Sequence, residues 1–129
     1  MFQGPQTVTR VSPRSVSETV SRFLDIARTK NVQIFSVIDQ RAEALSVGME
    51  LRETTLIIFG DPRAGTPVMQ AEPLAALDLP LKLLIWAGDD ATNVSYVSPP
   101  ALAARYDLSD DLAHRLAAID VLAEELVTP

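Results

Sequence analysis

The sequence predicts an α+β fold: a mostly antiparallel sheet of about five strands, with two long helices on one face. Three observations carry that reading. Leu56 to Phe59 and Leu83 to Trp86 are short, unbroken apolar runs, each near turn-forming residues such as Gly60-Asp61-Pro62, Pro80 and Gly88. Two other stretches repeat their apolar residues at helical spacing, one near each end of the chain. Between the second apolar run and Thr92 to Val97 lies a four-residue turn, Gly88-Asp89-Asp90-Ala91, which marks an antiparallel hairpin.

Residues 1–5, with Gly4 and Pro5, are expected to be a flexible tail to a single domain spanning 1–129. Gln6 to Ser12 is short and β-branched, a first strand that Pro13 ends. Ser15 with Glu18 three residues on forms a capping box, which satisfies two backbone donors reciprocally. Val16, Val20, Phe23, Leu24 and Ala27 then line one helical face until about Lys30, where Asn31 suits a left-handed cap. Gln33 to Asp39 is a second strand, and a short helix over 40–47 closes at Gly48. Thr54 to Phe59 is the third strand, followed by a loop from Gly60 to Gly65. A helix is expected to start at Thr66-Pro67 and to stop before Pro73, with one more turn over 74–77. Leu81 to Ala87 and Thr92 to Val97 are the fourth and fifth strands. Pro99-Pro100 opens a short helix through Tyr106, and Ser109 caps the last one. Asp110 and Asp111 there complement the helix dipole, and Leu112, Leu116, Ile119, Leu122, Ala123 and Leu126 form the stripe.

A single helix layer covers one sheet face, yet the two apolar runs are apolar on both. A strand with one wet face would alternate. An exposed apolar face beyond a few hundred Å² is rare on a monomer. A homodimer is therefore expected.

Composition excludes whole classes of chemistry. A net charge of −6, with the eleven basic residues scattered, argues against a nucleic-acid partner. Without cysteine there is no disulfide, thiolate metal site or cysteine nucleophile. No apolar run approaches the roughly 20 residues of a membrane span, and the amino terminus has no basic and apolar signal regions. The chain reads as cytoplasmic, without a membrane partner.

Taken in order, Ser15-Val16-Ser17-Glu18-Thr19, Ile57-Ile58-Phe59-Gly60-Asp61-Pro62, Gly65-Thr66-Pro67-Val68-Met69, Ala76-Leu77-Asp78-Leu79-Pro80-Leu81-Lys82 and Tyr96, Pro99, Leu102-Ala103 and Tyr106 resemble the family called domain of unknown function 302, over about 7–127. The resemblance implies a TT1751-like, TBP-like β-α-β(4)-α arrangement and no established biochemical activity. That family often carries a His directly after the Asp that ends the second strand. Here Asp39 is followed by Gln40, so no role can rest on that imidazole.

Six residues are candidates for a small-molecule site: Phe59, Gly60, Asp61, Lys82, Trp86 and Tyr96. The glycine-bearing loop from Gly60 to Pro67 could gather backbone N–H groups round an anion, although it lacks the Gly-Lys-Ser/Thr of a Walker loop. The plainer reading is a turn at Asp61-Pro62 with Gly65 at a positive φ. Lys82 interrupts an apolar strand; it either points into a pocket towards Asp61, Asp78 or Asp39, or keeps its head in water at the edge. Trp86, Tyr96 and Tyr106 line a pocket or contact, or are core residues with a hydrogen-bonded polar tip. His114, the one histidine, reads as a surface residue, so no Ser–His–Asp arrangement forms. No catalytic residues, metal ligands or cofactors are assigned. The leading expectation is a non-catalytic dimeric module that binds a small ligand or protein partner through its apolar sheet face. The alternative is a small acid–base enzyme using Asp61, Asp78 and Lys82.

Overall fold

The computed structural model describes residues 4–129. The first three residues of the expected tail lie outside the described residues. Pro5 is tied to the domain, its carbonyl accepting a hydrogen bond from Ser98 Oγ at 3.0 Å.

The elements run β1 (Thr7–Ser12), α1 (Val16–Thr29), β2 (Gln33–Asp39), α2 (Gln40–Ser46), β3 (Thr54–Gly60), α3 (Pro62–Ala71), a 3-10 turn (Pro73–Leu77), β4 (Leu81–Ala87), β5 (Thr92–Val97), α4 (Pro99–Arg105), α5 (Asp110–Leu116) and α6 (Ala118–Val127). The sheet has five strands in the order β1-β5-β4-β3-β2, and every neighbouring pair is antiparallel. The predicted α+β class is the one observed.

Local signals account for most boundaries. The Ser15–Glu18 box is formed, with Glu18 N donating to Ser15 Oγ at 3.1 Å and Ser15 N to Glu18 Oε1 at 3.2 Å. Asn31 takes the left-handed conformation after α1, and Gly48 does so after α2 (φ 57 and 76). The hairpin turn closes with Gly88 N donating to Ala91 O at 2.8 Å.

Strand parity divides the sheet. In β3, Thr55, Ile57 and Phe59 point inward and are buried; in β4, Leu83 and Ile85 do the same, as do Val94 and Tyr96 in β5. They meet Phe23, Ile26 and Ala27 of α1 and Ile119, Leu122, Ala123 and Leu126 of α6 in the main core. At its centre Phe23 and Phe59 pack edge to face, centroids 5.0 Å apart, a geometry worth about 0.5–1.5 kcal/mol beyond area burial. The alternate residues Leu56, Ile58, Leu84 and Trp86 face the opposite way, half-buried, and belong to neither core cluster. A second, smaller cluster joins Val68 of α3, Ala75, Leu102 of α4 and Leu116 of α5, with Leu79, Leu81 and Val97 packed on it from the sheet side.

Two details depart from the expected layout. Helix α3 starts a turn earlier than Thr66, because Asp61 Oδ1 accepts from Arg63 N at 3.0 Å and Pro62 occupies the first helical position. The Gly60–Gly65 segment is thus largely helical, and Gly65 has no positive φ. The C-terminal helix is divided at Ala117, where i to i−3 hydrogen bonds replace the α pattern (Ala117 N to His114 O and Asp120 N to Ala117 O, both 3.1 Å). Its halves serve different clusters: Leu116 packs in the small one, whereas Ile119 to Leu126 pack in the main core.

Candidate functional site

A cavity of about 230 Å³ opens where β3 runs into α3. Gly60 and Asp61, the first turns of α3, and Leu79, Pro80 and Leu81 line it. Phe35 of β2 and Arg115 and Leu116 of α5 complete it. The lining is mainly apolar, with polar groups confined to Asp61, Thr66 and Arg115. Concave apolar sites with few polar groups are the usual form of small-molecule pockets.

The topology explains why these residues meet. A register shift in β2 between Ile34 and Ser36 leaves Phe35 exposed (46 %) beside Gly60, where a Cβ on Gly60 would lie 3.9 Å from the Phe35 ring. The end cluster brings α5 across from α3 and supplies Leu116 and Arg115.

The charged groups have separate commitments. Asp61 accepts from Arg63 Nε at 3.1 Å and from Arg63 N, and these bonds hold its carboxyl below the usual range. Burial would raise the Asp78 carboxyl, but hydrogen bonds from the Tyr106 hydroxyl and, at 2.7 Å, from Arg105 outweigh that and keep it low. Asp39 Oδ1 caps α2 through Ala42 N at 3.0 Å. Lys82 is exposed and pairs in register with Ile58, so it shares the open sheet face; Asp39 pairs with Thr55 on the helix side. Asp61 lines the cavity described above, whereas Asp78 borders a small crevice beneath Tyr106. The acid–base trio of the alternative reading therefore shares no cavity among the described residues.

Of the six candidate site residues, Gly60 and Asp61 line the cavity. Phe59 (1 % exposed) and Tyr96 (4 %) are core residues, a correction that follows from their inward strand parity. Tyr96 donates its hydroxyl to Asp120 Oδ1 of α6 and accepts from Arg10 Nη2 at 3.3 Å. Burial first, then the Asp120 bond, pushes its hydroxyl up to about 12. Trp86 and Lys82 belong to the open face instead. There Trp86 Nε1 donates to Ser95 Oγ at 3.0 Å, and Ser95 Oγ lies 2.8 Å from Thr9 Oγ1. Sequence reasoning missed Phe35, Met69, Leu79 and Arg115. The available signal was Gly65: once Asp61-Pro62 is recognised as a helix start, that glycine falls inside a helix.

The sequence model described as "Domain of unknown function DUF302" matches residues 8–126. The chain belongs to the DUF302 family. Its fold is also that of an uncharacterized conserved DUF302 protein from Bacillus stearothermophilus known from a crystal structure: TM-score 0.82, 14 % identity, covering 96 % of this chain and 97 % of that one. Among curated proteins, this DUF302 chain is 38 % identical over 109 residues to proteins named fluoride-specific ion channel FluC 1 from Brucella suis biovar 1 and Brucella abortus biovar 1. The match takes in 82 % of this chain but 43 % and 40 % of theirs, so the chain spans about two fifths of the relatives' length. Among the described residues no helix is long and apolar enough to cross a membrane.

Proposed function

We propose that this DUF302 domain is a non-catalytic module that pairs with a second copy of itself through the open face of its sheet. The observation that carries the reading is the uncovered middle of the outward face, beyond the end where Val97 packs on the small cluster. Helices α1 and α6 supply the helical half of the main core, while Leu56, Ile58, Leu84 and Trp86 on the other face join no core cluster. Helix α2, which touches β3, buries none of its own residues and is no roof. Apolar side chains left at a surface favour association by the area they remove from water.

Charge supports self-pairing. By register, the outward positions of the strands hold no acidic side chain, and Lys82 is their only charge, although the chain carries seventeen acidic residues. Two such faces meet with little like-charge repulsion, and the Trp86–Ser95–Thr9 hydrogen bonds leave those polar groups satisfied within one copy. The cytoplasmic setting expected from the sequence belongs to the same proposal: a cysteine-free chain needs no oxidising compartment. The fluoride-channel name describes longer proteins of which this chain matches two fifths, and channel activity forms no part of the proposal.

Light scattering coupled to size exclusion tests the pairing. At micromolar concentration the expected mass is twice the 14.0 kDa of the chain, and Leu84→Asp, at the centre of the face, is expected to return it to one copy. A wild-type mass of one chain overturns the proposal.

A further inference from the structure

We propose that the cavity between α3 and α5 binds a small apolar monocarboxylic acid, with the hydrocarbon part inside and the carboxylate on Arg115. This goes beyond self-pairing and does not depend on it: the cavity lies at the β3–α3 end, where Gly60 ends the outward row of Leu56 and Ile58, and Leu84 and Trp86 take no part in its lining.

Size and lining define the buried part. About 230 Å³ accommodates roughly eight water-sized groups at about 30 Å³ each, the scale of a ring or a short acyl chain. Phe35, Met69, Leu79, Leu81 and Leu116 offer it apolar contact.

Gly65 gives an independent reason to regard the space as kept open. It lies inside α3, where glycine is less favourable than alanine because it has more backbone freedom to lose. Neither backbone conformation nor crowding demands it. Its φ is not positive, and an added Cβ would meet only Met69 Cε at 3.9 Å and Leu79 Cδ1 at 4.0 Å, ordinary contacts. A side chain there would extend between two cavity-lining residues and shrink the cavity.

Arg115 sets the sign of the ligand's charge. Its side chain is 40 % exposed, and among the described residues its ionic contact is Asp111, 3.9 Å from Nε, too long for a hydrogen bond. The guanidinium fork suits a carboxylate, which it can hold by two parallel bonds. Asp61, the acidic group of the lining, is committed to Arg63 and to capping α3, which makes it the poorer partner for a cationic ligand.

Calorimetric titration with octanoate and benzoate, against octylamine and benzyl alcohol, tests this. Both acids are expected to bind with dissociation constants at or below the millimolar range, at least tenfold tighter than the amine. Arg115→Gln is expected to weaken the acids about tenfold and leave the alcohol within twofold, whereas Gly65→Leu abolishes binding of all four. Amide NMR of the wild type provides a check that does not rely on a variant folding: octanoate is expected to shift 60–66, 79–81 and 115–116 and to spare Leu84 and Ser95. The proposal is overturned if neither acid binds at millimolar concentration, if octylamine matches octanoate, if Arg115→Gln leaves the acids unaffected, or if the shifts fall on the open sheet face. The monomeric Leu84→Asp protein should bind the acids as the wild type does, so failure of self-pairing leaves this result intact.

Discussion

The two faces of the sheet are built from the same strands yet have opposite fates. Phe59 and Ile58 are neighbours in β3 and both are apolar, but Phe59 is packed against Phe23 and fully enclosed, while Ile58 is half-buried beside Lys82. The difference teaches that hydrophobicity alone does not place a residue in a core. Parity assigns the side, and the chain's supply of long amphipathic helix decides which side is roofed.

The sharpest break of that comparison is a matched pair of truncations. Phe59→Ala is expected to cost about 3–5 kcal/mol, the range for emptying a large aromatic site in a core. Ile58→Ala, measured by urea denaturation at a dilution favouring single copies, should cost about 1 kcal/mol or less, because little of its surroundings is closed. Equal losses would mean the outer face is as well packed as the inner. A smaller effect is expected from Leu102→Ala in the end cluster, about 2 kcal/mol. That is the low end for such a change, because among the described residues the cluster has four buried members, Val68, Ala75, Leu102 and Leu116.

The polar fastening of the roofed face makes a pH prediction. Tyr96 is raised to about 12 by burial and by Asp120, against an unfolded value near 10. A raised folded pKa means that this contribution to stability is complete below about pH 10 and is lost as pH climbs through about 12. Asp120→Asn should bring the ultraviolet titration of Tyr96 to lower pH, with Tyr106 titrating as before. An unchanged titration would show that Asp120 does not govern the hydroxyl. A small effect, of the order expected for Ile58→Ala, is expected from Ser15→Ala, which removes one half of the capping box at the start of the roofing helix and should cost about 1 kcal/mol by thermal unfolding.

Much of the architecture is legible in the sequence, for local reasons. The Ser15–Glu18 box, the left-handed Asn31 and the turn at Gly88 are decided by groups within a few residues of each other, and the structure forms all three. Where two local signals compete, spacing along the chain does not rank them. Thr66-Pro67 and Asp61-Pro62 both announce a helix, and the earlier one prevails because the Asp61 carboxylate satisfies the backbone N–H of Arg63. The division at Ala117 has no proline or glycine to announce it; it arises because Leu116 and Ile119 belong to different clusters.

By itself the sequence determined the fold class, the family resemblance and the presence of more apolar strand surface than one helix layer hides. Those rest on periodicity and short-range hydrogen bonding, which a linear chain displays. Only the tertiary structure decided that Phe59 and Tyr96 belong to the core and that Phe35, Gly65 and Arg115 share a cavity. Residues 35, 65 and 115 lie on three separate elements, and their approach depends on a strand register shift and on which helices the end cluster draws together. Neither is written in the spacing of residues along the chain.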